Sequence, residues 1–70
     1  MTKLLDIVAL IEDLKDYGLQ RGQVGTIVEM LDDAVFEVEF TDNEGRTYAT
    51  LALKAEQLMV LHYEPAIANQ

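Results

Sequence analysis

The sequence predicts an all-β domain: five short strands that close into a small barrel, with one short helical turn before the last strand. Three observations carry this expectation. Over Val35–Phe40 apolar and charged residues alternate without a break, Phe36, Val38 and Phe40 on one face and Glu37 and Glu39 on the other, which is the period of a half-buried strand. Val24–Leu31 is rich in β-branched residues, starts just after the glycine-bounded stretch Arg21-Gly22-Gln23, and reaches Val35 through the acidic reversal Asp32-Asp33-Ala34. Thr41-Asp42-Asn43-Glu44-Gly45 is a turn in which Asp42 can bond its own backbone and Gly45 can take the left-handed conformation that closes a bulged hairpin.

Taken in order, the opening segment carries two readings. Leu4, Ile7, Val8, Ile11 and Leu14 stand at helical spacing after Thr2, an N-cap residue, and so describe an amphipathic helix. Ile7–Ile11 is also a short apolar run with β-branched residues, which describes a buried strand. Local pattern leaves both open; the strand is preferred because a hairpin and one more strand need a further strand to close their core. Glu12–Gln20 is a polar loop with turn signals at Asp16-Tyr17-Gly18 and again at Arg21-Gly22. Gly25, inside the second strand, marks a bulge or the close approach of another backbone. The third strand of the meander runs from Arg46 to Leu53, with Ala49, Leu51 and Leu53 suited to the core and Tyr48 and Thr50 on the opposite face. Lys54–Gln57 is too short for a stable helix and forms a single turn, after which Leu58–Leu61 makes the last strand. Residues 1–63 are expected to form one domain, and 64–70, with Pro65 as a breaker, a C-terminal tail that is ordered only where something holds it.

Size and composition narrow the function classes. A chain of 70 residues has room for one core, which supplies ~3–5 kcal/mol, so stability leans on a partner or on self-association. With no cysteine, disulfides and thiolate metal sites are excluded. Asp6, Glu12 and Asp13 interrupt the N-terminal apolar run, so no signal peptide is recognised, and no apolar stretch has transmembrane length; a cytoplasmic protein with no membrane partner is expected. Thirteen acidic residues against five basic ones leave a net charge of −8. Lys3, Lys15, Arg21, Arg46 and Lys54 are scattered, so nucleic acid, which needs clustered cations to replace phosphate counterions, is not an expected partner. Two readings of the acidity stand side by side: solubility, and electrostatic steering toward a basic partner.

Five short strands, a long first loop and one turn before the last strand together describe an SH3-like barrel, in which two small sheets pack across one core. The blocks Arg21-Gly22-Gln23-Val24-Gly25-Thr26-Ile27-Val28, Phe36-Glu37-Val38-Glu39-Phe40 and Leu53-Lys54-Ala55-Glu56-Gln57-Leu58, with Ile7-Val8-Ala9-Leu10 and Asp13 ahead of them, resemble the family of small bacterial proteins known as domain of unknown function 4926. The resemblance covers Leu4 to Tyr63. More distantly, the Val-Gly-Thr-hydrophobic step and the strand-turn-strand ending resemble the SH3-like domains of the nitrile hydratase β subunit and of a small photosystem I subunit, a likeness of fold rather than activity. The closer family implies a stand-alone small protein of bacteria, including cyanobacteria, encoded beside other small genes in an arrangement suggestive of toxin and antitoxin.

The residues offer little chemistry. His62 is the single histidine and has no visible orienting partner, which removes a multi-histidine metal site; its plain reading is a surface residue at a strand end. Asp32-Asp33 and Glu37/Glu39 could be paired carboxylates or oxygen ligands for a cation, but a turn signal and a solvated strand face account for them, and the calcium-loop spacing is absent. Arg21–Gly25 looks like a glycine-rich phosphate loop yet precedes a strand, so no helix dipole faces it. Tyr17, Tyr48 and Tyr63 could line an aromatic groove for a proline-rich peptide, although the acidic loop and aromatic pair of that recognition mode are missing. An ordinary protein interface is the better reading, with Glu37, Glu39, Tyr48, Met59, Tyr17 and Tyr63 as its candidate residues. The expectation is therefore a non-enzymatic protein-protein interaction module, antitoxin-like or regulatory, that binds a cognate basic protein and needs no cofactor or metal. The alternatives are an accessory subunit of a larger enzyme complex and a homo-oligomer assembled through an unpaired strand edge.

Overall fold

A computed structural model describes residues 2–63 and 65. Five antiparallel strands follow one another along the chain: β1 (Ile7–Leu10), β2 (Val24–Asp32), β3 (Val35–Thr41), β4 (Thr47–Lys54) and β5 (Leu58–Val60). Two single 3-10 turns, Lys15–Tyr17 and Ala55–Gln57, interrupt them. The opening segment is thus strand and not helix. Val8, Ala9 and Leu10 of its apolar run are buried in β1 with Ile7 half-buried, where a helix would need a partner layer that the described residues do not supply.

All five strands belong to one sheet in the order β4-β3-β2-β1-β5. The all-β class, the strand count and the single turn before the last strand are as the sequence predicts. Closure differs: β4 and β5 remain the two edges, so hydrogen bonding does not complete a barrel. Nor do two separate sheets form, because β1 pairs with β2 as well as β5 and the ladder is continuous. The expected C-terminal tail over 64–70 lies outside the described residues apart from Pro65, which is exposed.

One face of this sheet carries the core. Val8 and Leu10 of β1, Ile27 of β2, Phe36, Val38 and Phe40 of β3 and Leu53 of β4 are buried together, with Leu58 and Val60 of β5 packed against them. No helix among the described residues covers them; a sheet whose two ends share one core must curl over it. Leu19 completes the cluster from the first loop, whose ends are drawn together by the bridge between Leu14 and Leu19. That stretch was expected to be a polar loop, and two leucines five residues apart, Leu14 and Leu19, match neither strand nor helix spacing.

The tightest point of the curl is Gly25. It faces the core between Val8 and Phe40, and a β-carbon there would stand 2.8 Å from Val38 Cγ1, 2.9 Å from the Glu39 carbonyl oxygen and 3.0 Å from Phe40 Cδ1. The close approach of another backbone, one of the two roles the sequence allowed for this glycine, is the one it plays. Bulges occur elsewhere, at Val28 and Leu31 in β2 and at Tyr48 in β4, where the register slips by one residue.

Two aspartates organise the turns. Asp42 Oδ1 accepts from the backbone N–H of Glu44 at 2.8 Å and of Arg46 at 3.0 Å, while Oδ2 accepts from Arg46 Nε at 3.1 Å. Gly45 supplies the left-handed step of this turn with φ 82°. At the N-terminal side, Asp6 accepts from both the Lys3 ammonium and the Lys3 backbone N–H, each at 2.9 Å, clamping a tight turn in which Leu5 is held at φ 70°. That conformation is strained for leucine, at a cost of roughly 1–3 kcal/mol, and the Asp6 clamp helps to hold it. The Lys3 side-chain hydrogen bond first, and its backbone N–H second, keep the Asp6 carboxyl below its ordinary range; the Arg46 and Glu44 backbone donors do the same for Asp42.

Three outcomes test this account. Gly25→Ala should lose about 1–3 kcal/mol in urea unfolding from overpacking against backbone, and Phe40→Ala about 3–5 kcal/mol from the cavity it leaves. An alanine at 25 that unfolds at the wild-type midpoint would contradict the close approach. Because the two aspartate pKa values are depressed on folding, their contribution is present above the ordinary carboxyl value near about 3.9 and is lost as pH falls through the folded values. In a carboxyl-carbon NMR titration both should titrate below free aspartate, with the Asp6 midpoint rising in Lys3→Ala; an unchanged midpoint in that variant would disprove the clamp.

Candidate functional site

Antiparallel partners project to the same side of a sheet, so the register assigns every strand residue to the core face or the outward face. Rows of cross-strand partners make up the outward face. The first is Met59, Ala9 and Val24, across β5, β1 and β2. Next comes Ile7, Thr26, Glu39 and Thr50, spanning β1 to β4. Beyond it lie Glu29, Glu37 and Ala52, and then Asp32, Val35 and Lys54.

The first row is apolar, the next two carry the glutamates, and the last sets Asp32 and Lys54 about Val35. Ala9 is only 7% exposed although it lies outside the core cluster, while its neighbours Val24 and Met59 are 43% and 53% exposed. Two large apolar side chains thus stand on the outward face over a small one, the shape of a shallow apolar patch. At the other end Glu29 and Glu37 are direct cross-strand partners, and Glu39 follows Glu37 on the same face. None of the three forms an ion pair among the described residues, whose salt bridges join Lys3 to Asp6 and Arg46 to Asp42 and Glu44. Like charges placed directly opposite each other oppose folding.

Glu29 is the residue that sequence reasoning missed. Counting by twos from the buried Ile27 puts Glu29 on the core face. The bulge at Val28 shifts the register between Ile27 and Glu29, turning the carboxylate outward and placing Met30, still exposed, opposite Phe36. A glutamate at a nominal core position was the available signal, since an unpaired buried charge is costly enough to force a bulge.

Of the six residues proposed from sequence, Glu37 and Glu39 stand together on the outward face of β3, while Met59 lies on the same face three strands away on β5. The tyrosines lie elsewhere. Tyr48 was expected on the outward face beside Thr50, but it is the extra residue of the β4 bulge, and its ring lies 6.3 Å from that of the core residue Phe40. Its hydroxyl meets Gln23 Nε2, which donates at 2.9 Å, so Tyr48 ties the β4 edge to the approach to β2. Tyr17 sits exposed in the first 3-10 turn, on a small cleft with Asp13, Leu14, Lys15 and Asp16. Tyr63 follows β5 and is 81% exposed. Among the described residues, Phe40 with Tyr48 is the one close aromatic pair, so the three tyrosines do not stack into a common groove.

The chain belongs to the family described as Domain of unknown function (DUF4926). The family model matches residues 4–60, which takes in all five strands and every outward row. No curated protein and no solved structure matches.

The remaining candidates have structural employment. Successive backbone N–H groups in the glycine-bounded stretch are spent internally: Gln20 donates to Gln23 Oε1, Arg21 to Asp13 Oδ1, Gly22 to the Leu10 carbonyl and Gln23 to the Gln20 carbonyl. An anion would find those donors taken. Asp32 Oδ1 accepts from the Asp33 N–H at 2.8 Å and so shapes the β2–β3 reversal. His62 is exposed, and among the described residues no group of three or more His, Asp or Glu side chains converges as metal ligands. The outward glutamates are therefore spread along two strands, a surface charge pattern rather than a cation cage. No helix of the described residues is long and apolar enough to cross a membrane.

The like-charge pair predicts its own signature. Glu29→Lys should raise stability by about 0.2–1 kcal/mol through the new opposite-charge pair with Glu37, and more at low ionic strength. A salt-independent or destabilising change in thermal unfolding would mean that residues 29 and 37 are not partners.

Proposed function

We propose that this chain is a protein-binding module without catalytic activity, docking through its outward sheet face on a basic partner protein. The observation that carries the reading is the placement of Glu29 opposite Glu37 with Glu39 beside them, uncompensated, on the same outward face as an exposed apolar patch at Val24 and Met59, two rows from Glu29 and Glu37. This like-charge arrangement opposes folding, and a partner's Lys or Arg side chains would relieve it on binding. The apolar patch supplies area from which water can be expelled, and the acidic rows supply orientation and encounter rate. The net charge of −8 steers the same class of partner over a longer range. A toxin-like protein neutralised by this acidic module is the specific form of the reading that the family resemblance suggests.

The open sheet edges favour a second reading, assembly of several copies through strand pairing. Mass in solution separates the two: a monomer at micromolar concentration removes the second.

The test of the first is retention of a companion protein from the native host at physiological salt, wild type against the double variant Glu37→Lys with Glu39→Lys. The expected result is a specific companion held by the wild type, weakened by salt and lost from the variant, while the variant's strand signature in circular dichroism is unchanged. No companion at all, or equal retention by a folded variant, would overturn the proposal.

A further inference from the structure

The outward face runs without interruption to an open strand edge. Ala55 N–H donates to the Ala34 carbonyl at 2.8 Å, and by the alternation of an antiparallel ladder Leu53, Leu51 and Ala49 also turn their backbone groups toward β3. Thr50 and Ala52 therefore turn theirs away from the sheet, and no strand among the described residues lies beyond them. Lys54 shares their direction, but its N–H donates at 2.9 Å to Gln57 Oε1, which seals that end. The bulge at Tyr48 ends the regular edge on the other side. What is left is a short template centred on Thr50 and Ala52. The opposite edge, β5, is three residues long and offers less.

The side chains around this template define what fits it. Thr50 and Ala52 are the outward-face partners of Glu39 and Glu37, and both are small. A strand laid against β4 would stand two strand spacings, roughly 10 Å, from β3, and its residues opposite Thr50 and Ala52 would point to the outward face. A lysine or arginine at each of those positions can lean across the small side chains of β4 to the carboxylates behind them. On the other face the intervening residue of the added strand meets the rim of the core at the half-buried Leu51.

We propose that the β4 edge accepts an extended segment of the partner protein by strand addition, and that this segment carries Lys or Arg at two positions separated by one apolar residue. The proposal rests on the reading of the chain as a binder of basic protein and adds how the partner is gripped. Backbone hydrogen bonds to Thr50 and Ala52 give affinity, and Glu39 and Glu37 select the alternating cations. A second copy of this chain is a poor occupant. Pairing the two copies through Thr50 and Ala52 sets threonine and alanine, not cations, at the positions that face Glu39 and Glu37.

The probe is a synthetic end-capped heptapeptide, Thr-Lys-Val-Lys-Val-Lys-Thr, with two controls: the same peptide N-methylated on the lysine backbone nitrogens, and a version with glutamate for lysine. Amide hydrogen exchange of the wild-type protein is read by NMR, with affinity from the same titration. The expected result is new exchange protection at Thr50 and Ala52 with the lysine peptide, affinity at least about tenfold weaker after N-methylation, and none with the glutamate peptide. Glu37→Gln with Glu39→Gln should weaken the lysine peptide by about tenfold while leaving the free-state exchange pattern unchanged.

Binding that is insensitive to N-methylation, with shifts confined to Val24 and Met59, would overturn strand addition and leave the docking face as the binding site. Protection of Thr50 and Ala52 in the protein alone, rising with its concentration, would overturn it in favour of self-pairing. No binding of the lysine peptide would overturn the proposed motif, and the companion-retention experiment then decides separately whether the protein binds a basic partner at all.

Discussion

A sheet with no second layer must bury one face against itself, and that constraint governs the rest of this structure. In larger folds a helix or another sheet covers the apolar side; here β1, β5 and the start of β2 come round to meet β3 and β4 over a single cluster of aliphatic and phenyl side chains. The turn is sharp enough that one position has no room for a β-carbon. Gly25 fills it, packed against Val38, Phe40 and the Glu39 backbone. In a domain this small each buried side chain contributes a large share of the total stability, so the tolerance for error at that point is low.

The same curvature decides what faces outward. Curling a long hairpin requires extra residues on the outer arc, and β2 supplies two, Val28 and Leu31. Each reverses the alternation of the strand that follows. The first turns Glu29 out beside Glu37 and Glu39 and sets Met30 opposite Phe36. The device that lets the sheet close over its core is therefore also the one that assembles the acidic rows. The functional face and the core are two sides of a single register.

Openness is the complementary consequence. Because hydrogen bonding stops at β4 and β5, backbone donors and acceptors are left at the boundary, and the chain manages them locally: Gln57 caps Lys54, a bulge displaces Tyr48, and β5 is kept to three residues. Thr50 and Ala52 are what these devices leave untreated. They lie in the same rows as Glu39 and Glu37, so the unguarded backbone and the unpaired charge adjoin.

Local pattern along the chain suffices for the meander from Val24 to Lys54, for the turn after it and for the last strand. The alternation of Val35–Phe40, the β-branched run after Gly22, the Asp42–Gly45 turn and the short link Lys54–Gln57 are local signals, carried by neighbours along the chain and therefore legible without any tertiary contact. Glu37 and Glu39 were readable as a pair for the same reason. Only the tertiary structure decided whether Ile7–Leu10 is strand or helix, since that depends on the β2 and β5 backbones that pair with it. Long-range register likewise placed Glu29 with the other glutamates, moved Tyr48 against Phe40 and left the sheet open at β4, because a one-residue slip in pairing reverses every side chain beyond it and nothing in the local pattern records that slip.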